Sequence, residues 1–202
     1  MTVSWTQHRF AGGALALDTA NTVVLRGDLS RGFDRFADAS EIARFAEAAS
    51  TFRSGELGGR RLEAHEPERI APVVLDIRET TDRLFRGAAL EGAFDSSHLS
   101  DFLEACSKGV AGAQGKIGEP ARPFGDPATP LAFEAALAVS ALSLLGGDTT
   151  RRLRICANCR WLFMDRSRNS SRLWCDMAVC GNRRKASRHY HRRKDTREAD
   201  RG

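Results

Sequence analysis

The sequence predicts a mainly α fold in two parts: an α-helical N-terminal domain over residues 1–148 and a small four-cysteine domain over residues 149–202. Three observations support this prediction. Apolar residues in the first part recur with the period of an amphipathic helix. Four of the five cysteines fall within one 25-residue stretch near the C-terminal end. The charge also changes sign, because residues 1–150 have 15 basic and 21 acidic side chains (net −6), whereas residues 151–202 have 16 and 5 (net +11).

The composition is that of a globular protein. Of the 202 residues, 42% are hydrophobic and 28% are charged, and five cysteines are too few for a disulfide-rich secreted fold. The N-terminus has no basic stretch followed by a long apolar run, which argues against a signal peptide. The longest apolar stretch, residues 131–145, is shorter than the ~20 residues that cross a bilayer. We therefore expect a cytoplasmic protein that does not bind membranes.

Two amphipathic helices are predicted first. One begins near Ser40, whose hydroxyl can cap the helix N-terminus. The next is longer and begins between Pro67 and Pro72, because proline is tolerated in the first turn of a helix and not in its interior. Their apolar stripes comprise Ile42, Phe45, Ala46 and Ala49 in the first helix and Val73, Val74, Ile77, Leu84 and Phe85 in the second.

A third, shorter helix is predicted between residues 96 and 109. Ser96 or Ser97 can cap its N-terminus, and Gly109 is expected to end it. Its inward-facing side chains are predicted to be Leu99, Phe102, Leu103 and Cys106.

Residues 109–130 contain five glycines and four prolines, which predicts a loop with room for a short β-hairpin. A last helix is expected over residues 130–145. Its residues are so uniformly apolar that we expect it to be buried on most sides, with the glycine pair at residues 146–147 as its end.

The cysteine spacing is the most specific feature of the sequence: Cys156-x2-Cys159-x15-Cys175-x4-Cys180. A Cys-x2-Cys pair places two thiolates at neighbouring corners of a tetrahedron, and a second pair 15–20 residues later can supply the other two. Four thiolates suit Zn²⁺, and four protein ligands leave no position for water or substrate. The sequence therefore predicts a structural zinc ion, which would also stabilise a segment with few large apolar side chains.

Two alternatives for the metal site stay open. An iron–sulfur cluster also uses sulfur-only ligation. His189 and His191 follow closely, so a mixed cysteine and histidine site is the other alternative, although four cysteines already complete a tetrahedron. Cys106 stands alone on an apolar helix face and is interpreted as a core residue.

The segment after the last cysteine is predicted to be a short basic helix over residues 183–194, with Gly181-Asn182 as its turn and cap. Lysine and arginine bind phosphates, and arginine can also recognise guanine edges in the major groove. The alternative is a solvated charged tail. The residues predicted to bind nucleic acid are Arg166, Arg168, Arg172, Arg183, Arg184, Lys185, Arg188, Arg192, Arg193 and Lys194.

Three aromatic residues near the cysteines, Trp161, Phe163 and Trp174, allow two interpretations. They can stack on single-stranded bases or pack over the zinc ion as a small core. We favour the core, because this part has almost no other apolar side chains. Asp165 is expected to orient an arginine such as Arg172, or a backbone turn.

The sequence around the cysteines resembles the CGNR zinc-finger family. The shared pattern runs from Cys-x2-Cys through Phe-x-Asp-Arg-Ser-Arg-Asn and Arg-x-Trp-Cys to Cys-Gly-Asn-Arg-x-Lys-Ala, over about residues 151–195. Residues 15–22 (Leu-Ala-Leu-Asp-Thr-Ala-Asn-Thr) resemble the start of the helical ABATE domain that commonly precedes this finger, departing from it at Thr19 and Ala20. Such proteins are described as stress-related bacterial transcription regulators, so the resemblance implies DNA binding.

We expect a binding protein and not an enzyme, because the N-terminal part contains no Gly-rich phosphate loop, Gly-x-Ser-x-Gly elbow or His-Glu-x-x-His motif. The favoured function is DNA-binding transcription regulation, with an N-terminal domain that binds a small-molecule effector, another subunit or a partner protein. Asp18 and Asn21 could line a ligand pocket, although a capping turn also explains them. A homodimer would give so small a finger useful specificity.

Three other functions stay open from the sequence. RNA or ribosome binding is the first, because the phosphate contribution to affinity does not separate RNA from DNA. A protein-interaction adaptor with an acidic partner is the second. Thiol-based redox sensing through zinc release is the third, and it requires exposed, reactive thiolates.

Overall fold

A computed structural model describes residues 2–28, 30–113, 129–184 and 186. The fold is mainly α, as predicted, and about half of the chain is helical. The α-helices are α1 (Leu15–Ala20), α2 (Ser40–Phe52), α3 (Pro67–Glu91), α4 (Ser96–Val110), α5 (Phe133–Ser143) and α6 (Thr149–Arg152), with a 3₁₀-helix at Gln7–Phe10 and a π-helix at Met177–Gly181.

Short strands form three pairs in the described residues. Antiparallel pairs join β1 (Val23–Val24) to β2 (Phe33–Asp34), and β5 (Leu153–Ile155) to β6 (Leu162–Met164). A parallel pair joins β3 (Leu62–Glu63) to β4 (Leu131–Ala132).

The main core lies between α3, α4 and α5, with α1 packed against α3 and α5. All six residues of α1 are buried. Phe45 lies at one centre of the core, with the rings of Trp5, Phe10, Phe36 and Phe133 between 5.0 and 5.8 Å from its own. We did not predict α1 as a helix, because six residues are too few to display a helical period.

The predicted buried faces of α2 and α3 are largely confirmed. In α2 the whole predicted face is buried, and in α3 only Val73 is partly exposed. The α2 cap was wrongly placed: Ser40 is the first helical residue, and its N–H donates to the Asp38 carboxylate at 2.9 Å. Helix α3 begins at Pro67 and contains Pro72 in its second turn.

Helix α4 corrects three details. Its cap is Asp95, whose carboxylate accepts the N–H of Ser97 at 2.8 Å, so neither Ser96 nor Ser97 caps it. Leu103 was expected to face inward and is 43% exposed. Gly109 does not end the helix but lies buried in its last turn.

Gly109 marks a close approach of three helices. A Cβ atom there would lie 2.7 Å from Ile77 Cδ1 on α3 and 2.9 Å from both Ala138 Cβ and the Glu134 carbonyl oxygen on α5. Any larger side chain would push these helices apart, so the glycine permits the packing of α4 against both neighbours.

Most of the predicted loop, residues 114–128, lies outside the described residues. After it, the chain forms β4 before α5 begins, and α5 ends at Ser143, so the last helix is shorter than residues 130–145. It is largely buried, as predicted. Among the described helices, none combines the length and the apolar character that a bilayer crossing requires.

Candidate metal centre

The β5–β6 hairpin connects the helical core to the cysteines. Side chains alternate across a strand, so Leu162 of β6 enters the main core while Trp161 and Phe163 pack with the cysteines. Leu153 on β5 is buried in the same main core. The hairpin therefore contributes side chains both to the main core and to a second hydrophobic cluster around the cysteines. The predicted boundary between two domains at residues 148 and 149 stays a prediction.

A tight turn between the two strands carries the first cysteine pair. The N–H of Cys156 donates to the Trp161 carbonyl at 2.8 Å, and the N–H of Arg160 donates to the Cys156 carbonyl at 3.0 Å. Arg160 closes the turn with φ at +65°, in the left-handed region that disfavours side chains. This geometry places Cys156 and Cys159 side by side.

Asp165 organises the chain that leads to the second pair. Its carboxylate is fully buried and accepts the N–H groups of Ser167 at 2.9 Å and Arg172 at 2.7 Å. Burial acts to raise the pKa of Asp165, but these hydrogen bonds outweigh it and hold the pKa below its ordinary value. The predicted role of Asp165 in a backbone turn is confirmed. Asp165 binds Arg172 through the backbone N–H of that residue.

The segment before Cys175 returns to the first turn. The N–H of Ala157 donates to the Leu173 carbonyl at 3.0 Å, and Arg172 Nη2 donates to the Cys175 carbonyl at 2.6 Å. The Arg172 guanidinium also lies 5.4 Å from the centre of the Phe163 ring. These contacts bring Cys175 to the first cysteine pair.

The last cysteine lies on the π-helix. Asp176 caps this helix by accepting the N–H groups of Ala178 at 2.8 Å and Val179 at 3.2 Å. The sequence had assigned the cap to Asn182, whereas Asn182 lies past the helix start and donates its amide to the Ala178 carbonyl at 2.9 Å. The helical turn therefore begins at Met177, before Cys180 and not after it.

The four sulfur atoms of Cys156, Cys159, Cys175 and Cys180 lie within 4.8 Å of one another. The Sγ atoms of Cys159 and Cys175 are 3.6 Å apart, and those of Cys175 and Cys180 are 3.7 Å apart. Zinc–sulfur bonds of about 2.3 Å in a tetrahedron give sulfur–sulfur edges of about 3.8 Å. The spacing fits one metal ion, and all four cysteines are free thiols instead of disulfides.

Three of the thiols share hydrogen bonds that shift their pKa values in opposite directions, because the hydrogen bond with Cys156 raises the pKa of Cys159 and of Cys175. Hydrogen bonds from Cys159 and Cys175 hold the pKa of Cys156 far below its ordinary value. Cys159 is the one partly exposed member of the cluster, and the other three are buried. Buried thiolates close together repel one another, so a cation between them stabilises this arrangement.

Trp161 and Phe163 are buried beside the cysteines, and Trp174 packs against the same cluster, which confirms their predicted role as a small core. Cys106 is 1% exposed on α4, where burial raises its pKa to about 12, and it is the predicted core residue. His189 and His191, the alternative ligands, lie outside the described residues.

The structure describes half of the predicted nucleic-acid contacts. Arg166 donates to the Gly13 carbonyl at 2.7 Å, and Arg172 is bound as described above. Arg168, Arg183 and Arg184 are exposed, the last two on helical backbone that continues from the π-helix. The remaining residues, Lys185, Arg188, Arg192, Arg193 and Lys194, lie outside the described part of the chain.

Sequence reasoning missed the contacts that fix the finger to the helical part. Asn21, directly after α1, donates to the Leu162 carbonyl and accepts the Leu162 N–H, both at 2.9 Å. Asp18 makes its contacts within the helical part, where it accepts the Gly12 N–H at 2.7 Å and forms an ion pair with Arg53. Asn21 is also the C-cap of α1, its N–H bonded to the Leu17 carbonyl, which agrees with the capping turn considered from sequence. The motif at residues 15–22 was the sequence signal that pointed to both residues.

Further contacts come from the N-terminal segment and α3. His8 Nδ1 lies 2.9 Å from the Asp176 carboxylate, and its ring stacks on Trp161 at 5.4 Å. Arg86 on α3 donates to the Arg160 carbonyl at 2.9 Å. The helical part therefore contacts the cysteine turn and the cap of the π-helix directly.

Comparisons with known proteins agree with the metal site. A family model, the CGNR zinc finger, matches residues 152–193, about one fifth of the chain. Searches of curated proteins and of solved structures found no match. Together with the four-cysteine cluster, the family match supports a structural zinc ion, as predicted, and identifies the C-terminal part as similar to CGNR zinc fingers.

Proposed function

We propose that this chain is a nucleic-acid-binding zinc protein that prefers duplex DNA. One observation carries the proposal: Cys180, a zinc ligand, leads directly into helical backbone with exposed Arg183 and Arg184. This backbone belongs to the segment of residues 151–202, whose net charge is +11. Zinc would fix the start of a highly basic segment, and such a segment attracts the phosphates of nucleic acid.

The metal would act through structure and not through chemistry. Cys156, Cys159, Cys175 and Cys180 would occupy all four positions of a tetrahedral zinc ion, so no position is left for water or substrate. When bound, zinc supplies a rigid cross-link between the two cysteine pairs. We therefore infer that the metal centre is not catalytic, and we propose a binding protein and not an enzyme.

The helical part would regulate binding. Asn21 and Arg86 connect α1 and α3 to the backbone of Leu162 and Arg160, which closely follow the first cysteine pair. A small-molecule effector or a partner that shifts α1 or α3 would thereby shift the zinc turn. This coupling supports a role in transcription regulation, and a homodimer would increase specificity by contacting two half-sites.

Fluorescence anisotropy with labelled duplex DNA and with structured RNA, at fixed salt, tests the proposal. We expect tighter binding to the duplex and an affinity that falls steeply with salt. Chelation of zinc, or the Cys156→Ser/Cys159→Ser double variant, should abolish binding. Cys106→Ala is the matched control, because it removes a buried cysteine that is remote from the metal.

Each contrary result has a definite meaning. Tighter binding to RNA would replace DNA with RNA as the partner. Unchanged binding by the double variant would refute the role of zinc. No binding to any nucleic acid at low salt would refute the proposal, and a salt-dependent change in molecular size without nucleic acid would favour the adaptor function.

A further inference from the structure

Arg35 is a buried cation without an ion-pair partner among the described residues. Arg35 is the residue directly after β2, and it is 6% exposed. No carboxylate among the described residues lies within 4.0 Å of its guanidinium. Its hydrogen bond within the described residues runs from Nη1 to the Asn21 carbonyl at 3.2 Å. Burying an arginine with so few partners is costly, because the charge loses its hydration.

Aromatic rings hold Arg35 beside the zinc centre. Its guanidinium carbon lies 5.4 Å from the centre of the Trp161 ring and 5.5 Å from that of Phe33. Trp161 also has a buried indole N–H with no partner among the described residues. An indole N–H without an acceptor and a guanidinium with one described acceptor therefore lie together.

The neighbouring carboxylates are bound to other groups. Asp34 accepts two hydrogen bonds from Arg78, both at 2.7 Å. Asp176 is held by His8 and by the N-terminus of the π-helix. The charge of Asp34 therefore favours the charged form of Arg35 only through space, without an ion pair between the two side chains.

Two more arginines converge on the same place. Arg9 follows His8, whose ring stacks on Trp161, and Arg183 follows Cys180 by three residues. Burial, and then the charge of Arg9, lowers the pKa of Arg35 to about 10. Burial, and then the charge of Arg183, lowers the pKa of Arg9. Arg9 is therefore repelled by Arg35 and by Arg183, and an anion bound beside Arg9 would relieve both repulsions.

We propose that Arg9, Arg35 and Arg183 form a binding site for one backbone phosphate of nucleic acid, next to the zinc centre. The site rests on the function proposed above and extends it, because two of its three arginines come from the helical part. Guanidinium groups suit phosphate, since their paired N–H groups match its oxygens. The nucleic-acid surface would then span both parts of the protein.

The zinc-loaded protein, three variants of the site and one control variant are compared in duplex-DNA titrations over a range of salt. Arg9→Gln and Arg35→Gln should each weaken binding about three- to tenfold and reduce the salt slope by up to about one, the contribution of one neutralised phosphate, because the other two arginines remain. Arg35→Lys keeps the charge and should retain most of the salt slope. Arg69→Gln is the control. Arg69 lies on α3 about 25 Å along the helix axis from Arg86, the α3 residue that contacts the cysteine turn.

Zinc content, measured on each variant, shows whether Arg35 binds phosphate or only stabilises the zinc centre. Four thiolates around zinc carry a net negative charge, and the charge of Cys159 favours the charged form of Arg35. If Arg35→Gln loses zinc while Arg9→Gln keeps wild-type affinity and salt slope, Arg35 neutralises the metal centre and the phosphate site is refuted. The half-buried Arg9 also keeps the test decisive if Arg35→Gln does not fold.

The two proposals fail in different ways. If the unchanged protein binds DNA and both glutamine variants bind it equally well with full zinc content, the phosphate site is wrong and the function stands. If the unchanged protein binds no nucleic acid, both are wrong.

Discussion

The helical part and the metal centre are stabilised by different forces. The main core buries whole aromatic rings, among them Phe45, Phe85, Phe102 and Phe133, each fully inaccessible to solvent. In the second cluster, the cysteine cluster, the buried aromatic residues among those described are Trp161 and Phe163, and the other buried members are cysteines. Hydrophobic burial can stabilise the first region alone, whereas so small a second cluster needs the metal. The difference predicts that each region can be destabilised separately.

Removing zinc should have the largest effect. Structural zinc contributes about 10–16 kcal/mol to the folding of small zinc-binding units. Chelation should therefore expose the segments that carry the cysteines, while α3, α4 and α5 keep their packing. Hydrogen exchange measured by mass spectrometry checks this, with fast exchange expected in the π-helix and slow exchange in the three helices. Loss of protection in α3–α5 would show that the helical core depends on the metal.

Phe45→Ala should destabilise the helical core and leave the metal centre intact. Truncating a buried phenylalanine leaves a cavity and costs about 3–5 kcal/mol. Urea unfolding should show this loss, while the folded variant keeps its full zinc content. Phe52→Ala is the matched control, because Phe52 lies on the same helix, α2, and is 37% exposed. An equal loss in both variants would contradict the burial argument.

The features that were predicted from sequence depend on residues close together in the chain. The apolar faces of α2 and α3 follow from a helical period that is visible within two turns. The metal site follows from two cysteine pairs, and their spacing predicts a four-sulfur cluster. Even the aromatic core was predictable, because Trp161 and Phe163 lie between the pairs.

The features that were missed depend on partners distant in the chain. Gly109 resembles a helix terminator, and its contacts with Ile77 and Ala138 become apparent only when α3 and α5 are in place. Asn21 contacts Leu162, 141 residues later. The caps failed for another reason, since Asp38 and Asp95 lie one or two residues before the serines that were chosen, and either residue type is a good cap.

Asn21→Ala tests the connection between the two regions. The change leaves the N–H and the carbonyl of Leu162 buried without partners, which costs about 2–3 kcal/mol. Both the urea midpoint of the helical part and zinc retention under a competing chelator should fall. Asn182→Ala is the control, because the Asn182 amide forms an exposed hydrogen bond. A loss confined to one region would show that Asn21 does not couple them.

Asp165→Asn should destabilise the metal centre by about 2 kcal/mol, because one buried N–H loses its carboxylate acceptor. The effect depends on pH. The folded pKa of Asp165 lies below its ordinary value near 4, so its stabilisation is complete above that value and is lost as the pH falls through the folded pKa. Zinc retention followed from pH 7 towards pH 3 checks the sign, with the gap between variant and wild type expected to narrow in acid. A gap that widens in acid would contradict it.

Arg160→Gly should produce the smallest effect, and it should stabilise. Arg160 is left-handed with φ at +65°, a conformation that costs an L-residue about 1 kcal/mol and glycine almost nothing. Its carbonyl, which accepts from Arg86, is kept by the substitution. Zinc retention under a competing chelator should therefore rise slightly.

Arg168→Gly is the matched control for this prediction, because it removes the same charge from an exposed position outside the left-handed region. It should leave zinc retention equal or lower, since glycine increases the entropy of the unfolded chain. If Arg160→Gly weakens zinc binding instead, the side chain of Arg160 stabilises the turn by a contact of its own. The metal centre would then depend on side-chain packing as the helical core does. The difference between a region stabilised by hydrophobic burial and one stabilised by zinc would then be smaller than the cysteine cluster suggests.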